Sequence, residues 1–78
     1  MALTTEQLID FLKNTLNLEG EIDAETELFS SGMLDSVAMM NVIGFVEETA
    51  RIEVHPADVT LENFDTPSRI AQLVQGQY

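Results

Sequence analysis

Cysteine is absent from this chain of 78 residues, which excludes disulfides and thiolate metal sites. That fits a reducing compartment. Basic residues are scarce: 3 Lys+Arg stand against 14 Asp+Glu, for a net charge of −11. Such a chain repels nucleic acid and anionic lipid, so neither is expected as a partner. No apolar stretch approaches the ~20 residues of a membrane span. The N-terminus lacks the basic leader and apolar run of a signal peptide. Repeats, low-complexity tracts and interdomain linkers are missing too. The expectation is a cytoplasmic protein with one domain spanning 1–78.

A hydrophobic fraction of 45% is that of a folded domain, not of a disordered tail. A chain this short buries a modest core and keeps a small margin of stability. Its acidity serves solubility alone, or it steers the domain toward positively charged protein surfaces. Self-repulsion at this charge in so small a domain favours the second reading.

Helix signals divide the chain. Thr4 is a natural N-cap with Gln7 as its capping-box partner, and Leu3 and Leu8 are placed as a hydrophobic staple. Leu8, Leu12 and Leu16, helped by Ile9, form an inward stripe on a helix predicted to end near Asn17. Residues 18–35 read as a long acidic loop carrying Glu19, Glu21, Asp23, Glu25 and Glu27, punctuated by Gly20 and Gly32. Loops of that length in small domains are often functional. Ile22, Leu28 and Phe29 are expected to pin it, since an unanchored loop costs ordering entropy. A second helix is predicted over Ser36–Ala50 with Asp35 as N-cap. Residues 51–65 form a mixed connector, extended over Arg51–Val54, broken at His55-Pro56 and helical for one turn at Leu61–Phe64. Thr66 caps a last helix with Pro67 at its first position; Ile70, Leu73 and Val74 face inward and Gly76 closes it. The predicted fold class is all-α: a small three- to four-helix bundle with a long loop after helix 1.

The second helix has more apolar residues than one core stripe needs. At roughly 100° per residue, Met39, Val42, Ile43, Val46 and Ala50 share one face. Val37 and Met40 lie off it, on the side of Ser36, Asn41, Gly44, Glu47 and Glu48. Either Val37 and Met40 also pack inward, or they form a docking strip of apolar anchors rimmed by carboxylates. Methionine suits a surface that meets several partners. Gly44 costs helix stability, and either close approach of another chain or tight internal helix packing would explain it.

Ser36 stands where Gly32-Met33-Leu34-Asp35-Ser36-Val37 passes from the loop into this helix. A serine there is ordinarily a local cap. The alternative is an attachment point, because free N–H groups and the helix dipole favour a negatively charged substituent on its hydroxyl. No G-x-S-x-G turn surrounds Ser36. His55 reads as a solvated loop residue, so no catalytic set is assigned and no enzymatic activity is expected. Asp23, Glu25 and Glu27 lack the ligand series and central glycine of an EF-hand, and no metal site is assigned.

Leu34-Asp35-Ser36-Val37 resembles the Asp-Ser-Leu signature of acyl and peptidyl carrier proteins. The resemblance extends over nearly the whole chain, through the acidic loop, Leu28-Phe29, Glu47-Glu48 and the Thr66-capped helix. It implies a bundle of the acyl-carrier-protein type whose Ser36 receives a 4′-phosphopantetheine arm from coenzyme A through a phosphopantetheinyl transferase. The arm's thiol then carries an acyl or aminoacyl group as a thioester. Asp35 matches the family's acid that helps position the transferase's metal and coenzyme. Val37 and Met40 match apolar contact positions, and Glu47 and Glu48 match acids that meet basic patches on partner enzymes. Val37 replaces the usual leucine. Ala38 and Asn41 stand where fatty-acid-synthesis carriers commonly have acids, and Gly44 where a larger apolar residue is usual. These departures point to a standalone carrier in a specialised pathway, similar to carriers loaded by adenylating ligases such as the D-alanyl carriers. The implied partners are the transferase, an acyl- or aminoacyl-loading ligase and downstream acyl-transferring enzymes, met by a monomer. A non-covalent acidic adaptor of the same fold, with Ser36 only a cap, is the alternative.

Overall fold

The computed structural model describes residues 3–78. Four α-helices follow in order: α1 Thr5–Asn14, α2 Ser36–Ala50, α3 Leu61–Phe64 and α4 Pro67–Gln77, with a 3-10 turn at Pro56–Asp58. The fold is all-α, with no strand among the described residues.

Thr4 and Gln7 form the expected capping box. Thr4 Oγ1 accepts the Gln7 N–H at 3.1 Å and Gln7 Oε1 accepts the Thr4 N–H at 2.9 Å. Leu3, Leu8 and Leu12 are fully buried. The helix stops at Asn14 rather than near Asn17. The Thr15 and Leu16 N–H groups both turn to the Phe11 carbonyl, and Leu18 N–H reaches back to Leu12. Asn17 makes the reversal at φ 56, a left-handed conformation that asparagine tolerates better than most residues. Leu16 is thereby set half-buried beside the core instead of continuing the stripe.

The loop after α1 is stitched down as its apolar residues require. Ile22 and Leu28 are buried and Phe29 is half-buried. Asp23 and Thr26 close a local turn through the Asp23 N–H and both side chains. Two main-chain bonds fasten the loop to the start of α4: Ser68 N–H to the Ala24 carbonyl at 2.9 Å and Leu28 N–H to the Asp65 carbonyl at 2.7 Å. Backbone groups that would otherwise be orphaned under the loop are paired in this way.

Helix α2 begins and ends where its sequence predicts. Val42 and Val46 are fully buried, and Met39, Ile43 and Ala50 are half-buried along the same face. Phe45 stacks on Phe11 of α1 with ring centroids 4.3 Å apart and planes 18° from parallel. After Arg51, left-handed at φ 58, the chain runs extended to Val54. Thr60 caps α3 and Thr66 caps α4, each accepting an N–H at the third helical position. Phe64, Ile70, Ala71, Leu73 and Val74 complete the core.

Gly76 does not close α4, which runs on through it to Gln77. Tyr78 supplies the reason. Its N–H bonds the Val74 carbonyl. Its hydroxyl donates to Asp58 Oδ2 at 2.6 Å and accepts the His55 N–H at 3.0 Å. The last turn is held from outside and does not unwind at the glycine.

Candidate functional site

The approach to Ser36 is built by local turns. Gly32, at φ 83, takes a backbone conformation that a side chain would strain. Its N–H bonds the Phe29 carbonyl, and Leu34 N–H bonds the Leu28 carbonyl at 2.8 Å. Leu34 is buried at 8% exposure and anchors the chain two residues before Ser36. Asp35 then caps α2: one carboxylate oxygen accepts the Ala38 N–H at 2.9 Å and its carbonyl accepts the Met39 N–H.

Ser36 follows as the first residue of α2, exposed. Among the described residues its hydroxyl has no hydrogen-bond partner, and neither do the N–H groups of Ser36 and Val37. Asp35 provides the capping bond, so Ser36 is not needed as a cap. A free hydroxyl beside free N–H groups at the positive end of a 15-residue helix fits a phosphodiester substituent.

The solvent face of α2 carries the strip. Val37 is 69% and Met40 71% exposed, so these residues do not pack inward. Asn41, Gly44 and Glu48 are exposed beside them. A Cβ on Gly44 would meet nothing within 4 Å, so internal packing does not require the glycine. Two open hollows flank the strip on its α1 side. One of about 470 Å³ is lined by Leu16, Leu18, Met33, Asp35 and Val37. The next, about 540 Å³, is lined by Phe11, Met40, Gly44, Phe45 and Glu48. Asn41 borders both.

Glu47 differs from its neighbour. It is half-buried, and its Oε2 accepts the Val54 N–H at 2.9 Å, bracing the connector against α2. Glu48 is the acid that stands free on the strip. His55 is exposed, with Nδ1 at 3.2 Å from the Tyr78 hydroxyl and 3.7 Å from Asp58. Among the described residues no group of three or more His, Cys, Asp or Glu is placed to hold a metal ion.

Sequence reasoning missed Asp65. Only 5% exposed, it accepts the N–H groups of Phe29 and Ser30 and the Ser30 hydroxyl. Burial pushes its carboxyl pKa up, but these bonds, with Arg69 nearby, hold it below the ordinary 3.8. The only signal was an acid wedged between Phe64 and the Thr66 cap, with partners far away along the chain.

Residues 6–74 match the family described as the phosphopantetheine attachment site. The chain belongs to that family. Its prosthetic group is covalent 4′-phosphopantetheine, and its work is that of a carrier, in a family that is generally not catalytic. Lincomycin biosynthesis protein LmbN of Streptomyces lincolnensis is 43% identical over 56 residues, covering 72% of this chain. This chain spans only 20% of LmbN. A D-alanyl carrier protein of Lactobacillus delbrueckii subsp. bulgaricus is 23% identical over 70 residues, covering 90% of this chain and 88% of that protein. A non-covalent adaptor is not favoured, because attachment of the group defines the matched family. Among the described residues no helix is long and apolar enough to cross a membrane.

Proposed function

We propose that residues 1–78 form one carrier domain whose Ser36 hydroxyl bears the 4′-phosphopantetheine arm. The observation that carries this is the state of that hydroxyl: exposed, without a hydrogen-bond partner among the described residues, and first on α2. The arm supplies a terminal thiol that holds an acyl or aminoacyl cargo as a thioester. Asp35 fixes the start of α2 and so the bearing of Ser36, and its outward carboxylate is available to the transferase's metal and coenzyme.

Val37, Met40, Asn41, Gly44 and Glu48 form the docking strip in this reading, with Glu47 at its edge. Partners are a phosphopantetheinyl transferase, a loading ligase and acyl-transferring enzymes, each presenting a basic patch to a chain of net charge −11. Docking is weak and fast, because a shuttle that binds tightly does not deliver. A specialised pathway is supported by Ala38, Asn41 and Gly44, where primary fatty-acid carriers differ, and by relatives named for lincomycin biosynthesis and as a D-alanyl carrier. The protein is cast as a cytoplasmic monomer meeting its partners in turn.

Intact mass spectrometry after treatment with coenzyme A and a broad-specificity transferase tests the site. The wild-type chain gains the mass of the arm, and the peptide containing Ser36 carries it. Modification of any other residue overturns the assignment.

A further inference from the structure

We infer that Asp65 is a positioning residue for the attachment serine, holding from the threshold of α4 the loop that delivers Ser36 to visiting enzymes. This rests on the reading of Ser36 as the attachment site.

The bonds converge from one residue. Asp65 Oδ1 accepts the Phe29 N–H and the Ser30 N–H, each at 2.9 Å. Oδ2 accepts the Ser30 hydroxyl at 2.7 Å. The Asp65 carbonyl accepts the Leu28 N–H at 2.7 Å. Three consecutive loop residues are therefore fixed by both ends of one aspartate. Leu28 passes the restraint on, since its own carbonyl accepts the Leu34 N–H. Residues 28–34 close into a small loop seated on Asp65, and Asp35-Ser36 leaves from its far end.

The carboxylate accepts no hydrogen bond from α4, whose Arg69 acts on it through charge alone. Thr66 caps that helix by accepting the Arg69 N–H, and Ser68 N–H is held by Ala24. Burying a carboxylate is unfavourable unless its oxygens are paired, and here both are paired to the loop alone. The loop is otherwise rich in exposed acids and needs a point that defines its path. An enzyme approaching Ser36 meets a presented hydroxyl only while that path is kept.

The test compares the full-length wild-type chain with Asp65→Asn, which keeps the shape and removes the charge, and with Ser30→Ala, which removes one bond. Two readouts are taken at a temperature well below unfolding: amide hydrogen exchange, and steady-state transfer of the arm from coenzyme A. In Asp65→Asn, protection at Phe29 and Leu34 is expected to fall about tenfold while Val46 keeps its protection. The transferase KM for the same variant is expected to rise about fivefold with kcat within about twofold, a loss of presentation rather than chemistry. Ser30→Ala shows the same split at smaller size. Unchanged KM with lost loop protection overturns positioning and leaves a merely structural residue, as does protection lost equally at Val46. Retained loop protection overturns the clamp itself. Failure of the wild-type chain to load at Ser36 sinks the site reading instead, and the exchange data still judge the clamp.

Discussion

Ser30 and Ser36 lie on the same approach to α2 and both are exposed, yet their hydroxyls are in opposite situations. Ser30 Oγ donates to the buried Asp65 carboxylate at 2.7 Å. Ser36 Oγ has no partner among the described residues and sits on a helix whose capping is done by Asp35. Their exposure is alike; their hydrogen bonding is not. The bond to a buried carboxylate fixes the Ser30 hydroxyl against its own fold, whereas an exposed hydroxyl without a protein partner at a helix start is free to turn toward an incoming group and lies in the local field. In the proposed reading this contrast distinguishes Ser36, at the start of α2, from Ser30 in the loop before it.

Exchanging the two residues' fates breaks the comparison most severely. Ser36→Ala is expected to abolish attachment of the arm while circular dichroism retains the helical signal. Ser30→Ala is expected to load still, with the modest rise in KM described above. Loss of loading in the serine-30 variant together with full loading in the serine-36 variant would reverse the assignment.

Acid separates the two regions next. Burial raises the Asp65 pKa, but the N–H and hydroxyl bonds of Ser30, the Phe29 N–H and the nearby Arg69 outweigh it and lower the folded value below 3.8. A lowered carboxylate pKa stabilises the fold above the unfolded value, and that contribution is lost as pH falls through the folded one. Loop protection at Phe29, corrected for intrinsic exchange, is therefore expected to stay level from neutral pH down to the ordinary 3.8 and to fall beneath it. In Asp65→Asn that descent should be absent. A descent already under way near pH 6, measured by NMR, contradicts the clamp's ionisation.

A smaller effect distinguishes the two aspartates. Asp35 is exposed and caps its own helix, whereas Asp65 is buried and serves residues remote in sequence. Asp35→Ala is expected to destabilise the fold by about 1 kcal/mol, the usual loss for an N-cap. Urea unfolding measures it, and an unchanged midpoint would remove Asp35 from the account of how α2 begins.

Much of this was legible in the chain. Local signals carried the helix starts: Thr4 with Gln7, Asp35, and Thr66 with Pro67 all act within one turn, so spacing alone reveals them. The exposed bearing of Val37 and Met40 was one of two open readings, and burial decided between them. What stayed hidden was non-local. Asp65 meets Phe29 and Ser30 across separations of 36 and 35 residues. Tyr78 extends α4 past Gly76 through Asp58 and His55. Glu47 resembles Glu48 in sequence and differs only because the connector folds back and offers it the Val54 N–H. No pattern in the sequence reports where a distant N–H will arrive.

The finest test concerns Gly44, on the strip that lies beyond Ser36. Inside a helix, glycine is about 0.5–1 kcal/mol less favourable than alanine. The added Cβ would find open space, so no clash offsets that gain. Gly44→Ala is therefore expected to raise stability by roughly that amount in urea unfolding. If the notch beside Met40 and Glu48 receives a partner enzyme's backbone, the same variant slows cargo loading while its arm is attached as usual. Stability and delivery then move in opposite directions, as happens where a surface is shaped for another chain rather than for its own fold. A stabilised variant that loads cargo at the wild-type rate would show that the glycine serves neither.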